Sequence, residues 1–269
     1  MIKLVAIDLD DTLLDSNKCI SVDNINAVRF LNSIGVKVVI TTGRPYFRII
    51  GFLKQLGLYN DNSYIITYNG SLISNSTNKE MIKKVDFNNF DIKRITEFLM
   101  KINVHFNVYV NELIYSPEVI DFIKQQKVFE GIIFDICDIN EIRKLEYAEK
   151  IIICDREEIV SSVRDKVIEE LGNDYNVMRS TPIYLEILPK DANKGKALKY
   201  LMDYLGIKKE EAMAIGDEEN DLSMYEYVKE KVAVDNANEL LKRNASFVTH
   251  SQNESGVAFA INEIIKKES

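Results

Sequence analysis

The sequence predicts an α/β protein: a doubly wound, Rossmann-like core around a parallel sheet, with an α+β domain inserted into it. Three observations carry that reading. Short, unbroken apolar runs alternate with helix-period segments over the first 70 residues, as expected for strands buried on both faces beneath crossover helices. The same alternation returns beyond Pro189, after a stretch with a different rhythm. Acids and small polar residues follow three of the apolar runs directly, at the carboxyl ends of strands, where open parallel sheets bind ligands.

The elements follow in order. Lys3–Leu9 reads as the first strand. Ser21 is placed to cap a helix through Ala27, Phe30, Leu31 and Ile34, which Gly35 stops. Val36–Thr41 is the second strand. Pro45 opens a helix whose apolar face is Ile49, Phe52, Leu53 and Leu56, ended by Gly57. Tyr64–Tyr68 is the third strand, closed by the turn signal Asn69-Gly70. The rhythm then changes. Asp91 is read as the cap of a helix carrying Ile92, Ile95, Phe98, Leu99 and Ile102. Val104–Val110 alternates as a strand and turns at Asn111-Glu112 toward Leu113–Tyr115. Lys150–Cys154 and Tyr184–Leu188 are further strands, with a helix over Glu157–Leu171 between them. Past Pro189 come a helix at Lys194–Leu205, a strand at Ala212–Ile215 and a short helix near Asn220–Tyr225. A strand at Lys231–Val234 and a helix at Ala237–Arg243 follow. The core is therefore split into residues 1–82 and 189–269, with 83–188 as the insert.

Composition narrows the function classes. With 46% hydrophobic and 28% charged residues, global disorder is excluded. No apolar stretch approaches the roughly 20 residues that span a bilayer. Asp8, Asp10 and Asp11 interrupt the first apolar run as no signal peptide would, so a cytoplasmic location is expected. Cys19, Cys137 and Cys154 are far apart, with neither disulfide nor zinc spacing. The net charge is −8 with both signs interspersed. No basic block suits nucleic acid and no basic amphipathic face suits a membrane. An anionic ligand must therefore be held by local groups or by a metal. No long apolar stripe announces an interface, and the oligomeric state is left open, a monomer included.

The chemistry-bearing segments are Asp8-Leu9-Asp10-Asp11-Thr12-Leu13, Thr42-Gly43-Arg44, Lys194-Gly195-Lys196 and the acidic run Gly216 to Asp221. Carboxylates gathered at one point need a positive counter-charge, and an all-oxygen donor set favours Mg2+. An aspartate with its ordinary pKa is ionised at neutral pH and can attack phosphorus without a base. That role falls to Asp8. Asp10, two residues on, would protonate the leaving oxygen and then deprotonate water, for which the clustered negative charge should raise its pKa. The Thr42 hydroxyl, the Gly43 N–H and the Lys194 ammonium can hold the phosphoryl oxygens.

Together, DLDDTL, TTGR, NKGKAL and GDEENDLSM, in that order, resemble the haloacid dehalogenase superfamily. The insert after YNGSLI is similar to the large α/β cap of its Cof-type, subfamily IIB sugar phosphatases. The resemblance spans essentially the whole chain, the tail from Val232 to Ile261 included. It implies a Mg2+-dependent phosphatase that acts on a small phosphorylated substrate through an aspartyl-phosphate. It implies Asp8 as nucleophile and metal ligand, and Asp10 as acid–base that also lends the metal its backbone carbonyl. Phosphate would be bound by the Leu9 backbone, Thr42 with Gly43, Lys194 and Asn220. Asp217 would ligate the metal directly and Asp221 support it through water. A phosphomutase of the same superfamily is the alternative, and a non-catalytic phosphate-binding protein a further one. Two departures stand out: Asp235 where relatives commonly have glycine before Asn236-Ala237, and the extra acids Glu218-Glu219. His105, His250 and Arg44 are read as structural.

Overall fold

The computed structural model describes residues 1–111, 113–118, 120–124 and 134–268. The chain divides into two compact units, Met1–Lys84 with Asn193–Ser269, and Val85–Ala192.

The first unit begins with β1 (Leu4–Asp8), α1 (Val22–Ser33), β2 (Lys37–Thr41), α2 (Ile50–Leu56), β3 (Tyr64–Thr67), β4 (Leu72–Asn75) and β5 (Met81–Lys84). Ser21 caps α1 as expected, its side chain accepting from the Asn24 N–H. Asn69-Gly70 turns the chain into β4 and β5, two strands with no apolar alternation to announce them.

The second unit comprises β6 (Phe87–Asn88), α3 (Asn89–Lys101), β7 (Phe106–Val110), β8 (Leu113–Ser116), α4 (Asp121–Lys124), β9 (Phe134–Ile136) and α5 (Ile139–Ile142). It continues with β10 (Tyr147–Ala148), β11 (Lys150–Cys154), α6 (Glu157–Leu171), β12 (Tyr175–Thr181) and β13 (Tyr184–Pro189). Its main sheet runs β12-β13-β11-β7-β8-β9, antiparallel except for the β8–β9 pair. Phe106, Val108, Ile151, Ile153, Leu185 and Ile187 turn one face of it into a core with Ile92 and Ile95 of α3 and Val160 and Val167 of α6. The cap of α3 is Asn88, not Asp91. Asp91 stands three residues on and its carboxylate accepts the Asn88 N–H in return, so the two form a capping box. Of the expected Asn111-Glu112 turn, Asn111 has a left-handed φ of 54°, and Glu112 lies outside the described residues.

The first unit then resumes with α7 (Lys194–Leu205), β14 (Ala212–Gly216), α8 (Glu219–Leu222), β15 (Glu230–Ala233), α9 (Glu239–Asn244), β16 (Phe247–Val248) and α10 (Gly256–Glu268). Its eight-stranded sheet has the order β16-β15-β14-β1-β2-β3-β4-β5. The first six are parallel and the last two antiparallel. Every residue of β1 and β14 is buried, which explains their unbroken apolar runs. Among the described residues no helix is long and apolar enough to cross a membrane.

Candidate active site

Strand register builds the site. β1 pairs in parallel with β14 as Ile7 against Ile215, and with β2 as Asp8 against Thr41. Asp8 ends its strand, and Asp217 and Thr42 each stand one residue beyond the ends of the neighbouring strands. All three therefore emerge along one carboxyl edge of the sheet. Lys194 is the first residue of α7, which Asn193 caps by accepting from the Lys196 N–H at 3.0 Å. Gly195 lets that helix start lie tight: a Cβ there would stand 2.0 Å from the Ser223 carbonyl oxygen. Gly216 does the same for the acidic loop, since a Cβ there would meet the Asp221 carboxylate at 2.5 Å.

The charges at this edge are buried and out of balance. Lys194, 1% exposed, donates to Asp8 Oδ1 at 2.5 Å and to Asp221 Oδ1 at 2.7 Å. The other oxygen of Asp221 accepts the backbone N–H groups of Asp217 and Glu218 at 3.0 and 3.2 Å. Asp217 accepts from the Thr12 hydroxyl at 2.8 Å. Oxygens of Asp8, Asp217 and Asp221 lie within 4.8 Å of one another, so three carboxylates face one ammonium. Burial pushes the Asp8 carboxyl up to about 7, Lys194 holding it down and Asp221 adding to the rise. The ordinary ionisation expected of Asp8 is thus not what these neighbours give, because burial and Asp221 outweigh Lys194. Burial, then the charges of Asp8 and Asp221, push Asp217 to about 9. Burial opposes the charge of Lys194, but the two acids outweigh it and raise its pKa.

Asp10 departs from expectation. Burial alone would raise its pKa, but the hydrogen bonds and charge of Arg44, aided by Lys18, bring it below the ordinary value. The neighbouring acids do not decide its titration; Arg44 does. Arg44 donates from Nε to Asp10 Oδ2 at 2.7 Å and from Nη2 to Oδ1 at 2.6 Å.

The sequence carries the same pattern as a known group over nearly its whole length: the family model for haloacid dehalogenase-like hydrolases matches residues 5–261. The chain belongs to the haloacid dehalogenase-like hydrolases. It is of their Cof type and is a phosphoric monoester hydrolase. A Streptococcus pyogenes protein named provisionally as a phosphatase is 36% identical over 266 residues, covering 97% of each chain. The 5-amino-6-(5-phospho-D-ribitylamino)uracil phosphatase YwtE of Bacillus subtilis is 31% identical, with 98% of each chain covered. A haloacid dehalogenase-like hydrolase of Bacteroides thetaiotaomicron superposes with a TM-score of 0.87 at 28% identity, over 98% of this chain and all of that one.

The remaining residues singled out in this hydrolase fall as follows. Thr42 is buried, and its hydroxyl oxygen accepts the Arg44 N–H at 3.0 Å. Its carbonyl takes the Asn69 N–H at 2.9 Å, and Asn69 in turn accepts from Asn220 Nδ2 at 3.1 Å. A Cβ on Gly43 would press on the Asn69 side chain at 2.9 Å, so Thr42, Gly43, Asn69 and Asn220 form one linked group. The Leu9 side chain is buried in the core, leaving its backbone as the only part suited to a ligand. Asp235 is exposed, with the Lys242 ammonium 3.8 Å from its carboxylate, while Asn236 donates to the Asp11 carbonyl at 2.7 Å. Glu218 accepts from Asn238 at 2.9 Å, which ties its loop to the cap of α9. His105 binds the carbonyls of Cys154 and Glu118 in the second unit, and His250 stacks on Phe259 at 4.0 Å. Sequence reasoning missed Thr12, Asn69 and the partner of Arg44. Thr12 stands inside DLDDTL and Asn69 inside the turn signal, so both could have been weighed by position. Nothing in the spacing joins Arg44 to Asp10.

Proposed function

We propose that this phosphatase hydrolyses small phosphate monoesters, sugar or related metabolite phosphates, through a phosphoaspartyl intermediate on Asp8, with Mg2+ as its cofactor. The observation that carries the reading is the buried excess of carboxylate over ammonium at Asp8, Asp217, Asp221 and Lys194. Removing several like charges from water is costly unless a cation balances them, and oxygen donors suit Mg2+. Asp8 and Asp217 have carboxylate oxygens to offer it, with the Asp10 backbone carbonyl as a third donor. Asp221 spends its oxygens on Lys194 and two backbone N–H groups, so its part is to support the ion from behind. When bound, Mg2+ would offset the negative charge of the phosphoryl oxygens as Asp8 approaches.

In this account an Asp8 oxygen bonds to phosphorus while the bond to the leaving oxygen breaks and Asp10 gives that oxygen a proton, which requires the negative charge of the bound ester to outweigh the hold of Arg44 on the Asp10 carboxylate. Water then attacks phosphorus, Asp10 takes its proton, and the bond to Asp8 breaks to release phosphate. Lys194 steadies the nucleophile. The Thr42 hydroxyl, with its oxygen already accepting from Arg44, has its hydrogen free for a phosphoryl oxygen. The backbone at Leu9 and Gly43, and Asn220, are the other donors assigned to phosphate. The inserted unit is assigned the choice of leaving group and the exclusion of water. The phosphorylated ribitylamino compound named for the Bacillus subtilis relative is a polyol phosphate, which supports the small-metabolite class.

The test is phosphate release from a panel of sugar and polyol phosphates with Mg2+ and with chelator. Release that requires Mg2+ is expected. Interconversion of phosphate isomers without release would make the protein a mutase, and chelator-insensitive turnover would remove the metal from the account.

A further inference from the structure

We infer, resting on the proposed role of Asn220 as a phosphate donor, that Asn69 is a positioning residue: it fixes which end of the Asn220 amide meets the bound phosphoryl group. Asn220 Nδ2 donates to Asn69 Oδ1 at 3.1 Å. An amide nitrogen carries two hydrogens, so one remains for a phosphoryl oxygen. Turned over, the Asn220 amide would set its oxygen against the Asn69 oxygen and lose that bond. It would also offer phosphate an acceptor in place of a donor. The other end of the amide imposes no orientation: Asn220 Oδ1 is buried and has no hydrogen-bond partner among the described residues.

Asn69 can act as a fixed reference because its turn is wedged among the segments that build the site. It is buried, and its N–H donates to the Thr42 carbonyl at 2.9 Å. Tyr68, Asn69 and Gly70 follow one another in the left-handed region, with φ of 51°, 53° and 101°. Asparagine and glycine take that region at little cost, but tyrosine does not, and such strain persists only where the surroundings over-determine it. Those surroundings are close. A Cβ on Gly70 would collide with the Asn193 backbone at the cap of α7, and one on Gly43 would lie 2.9 Å from Asn69 Nδ2. The backbone of Asn220 is held by other means: its carbonyl accepts the Ser223 hydroxyl at 3.0 Å, whose oxygen accepts the Gly195 N–H at 3.0 Å. What Asn69 adds is the direction of the side chain.

The experiment is calorimetric titration with inorganic phosphate in the presence of Mg2+. It compares wild type, Asn69→Gly and Asn69→Asp, each with and without Asn220→Ala. Glycine adopts a φ of 53° without strain and keeps the N–H that Thr42 receives, so Asn69→Gly removes the side chain alone. Aspartate also tolerates that region and still offers Asn220 Nδ2 an acceptor. In the wild-type background Asn220→Ala should weaken phosphate binding roughly 10-fold, and Asn69→Gly alone should do the same. Once Asn69 is glycine, Asn220→Ala should cost less than about 3-fold more, because the misdirected amide no longer donates. In the Asn69→Asp background Asn220→Ala should again cost its full factor, whatever the added charge does to phosphate. Asn69→Gly should bind Mg2+ alone as the wild type does, and thermal melts of each variant separate a folding defect from a lost donor. Asn220→Ala costing its full factor beside Asn69→Gly, or nothing beside Asn69→Asp, would overturn the inference. So would an Asn69→Gly chain that loses Mg2+ in step with phosphate, since a general loosening of the site would then explain both. An Asn220→Ala chain that holds phosphate as tightly as the wild type would sink the donor role beneath the inference as well.

Discussion

Two buried lysines, one in each unit, sit in opposite circumstances. In the second unit Lys150 of β11 meets Glu186 of β13 at 3.2 Å, both nearly inaccessible, and Lys150 also lies over the Tyr109 ring at 5.0 Å. There, among the described ion pairs, one cation meets one carboxylate across neighbouring strands. At the sheet edge of the first unit, Lys194 meets Asp8 and Asp221, with Asp217 beside them. A balanced pair can be an internal fastening. An unbalanced cluster is a cost to the fold unless something positive binds to it. Burial alone therefore does not mark a site; the sign and size of the remaining charge do.

The largest expected effect separates the two regions by activity. Asp8→Asn should lower phosphate release by roughly 10⁴-fold or more while the melting temperature holds. More than a few per cent of wild-type turnover would remove the covalent route. Next comes stability. Lys194→Met strands buried acids without their ammonium and should cost about 3–5 kcal/mol in denaturant melts. Replacing both members of the other pair, Lys150→Met with Glu186→Leu, should change stability by about 1 kcal/mol or less, or raise it. A double variant as damaged as Lys194→Met would erase the contrast.

The pH dependence has a definite sign. Above the ordinary carboxylate value of 3.8, Asp8 and Asp217 keep protons in the folded chain that the unfolded chain has released. Metal-free stability should therefore fall as pH rises, through about 7 for Asp8 and about 9 for Asp217. On the proposed reading a divalent ion would take the place of those protons, so Mg2+ should raise Tm more at about pH 8 than at about pH 5. An equal Mg2+ shift at both values would contradict this. The smallest effects are at helix caps. Asn88→Ala and Asn193→Ala should each cost about 1 kcal/mol. Only Asn193→Ala should also lower kcat, because the helix it caps begins at Lys194.

Much of this was legible in the sequence, and the exceptions have physical causes. β11, α6 and α7 have the extents that their apolar runs and flanking residues indicate. β5 and β12 did not announce themselves. They lie at sheet edges, half-exposed, where one buried face no longer enforces alternation. Within the site, Asp8, Lys194, Asp217 and Asp221 could be named because each follows a strand or opens a helix with a readable pattern. The grip of Arg44 on Asp10 could not. It joins residues 34 apart through a side-chain fork that no periodicity encodes, and it reverses the direction in which burial alone would move Asp10. Thr12 and Asp217, 205 residues apart, meet for the same reason: strand register, invisible in the sequence, brings β1 beside β14.

Calorimetric titration with Mg2+ bears most directly on the charge imbalance. The account predicts one ion per chain for the wild type, binding lost in Asp217→Asn, and binding retained in the Lys150→Met, Glu186→Leu double variant. A wild-type chain that takes up no Mg2+, or an Asp217→Asn chain that binds as well as the wild type, would contradict it.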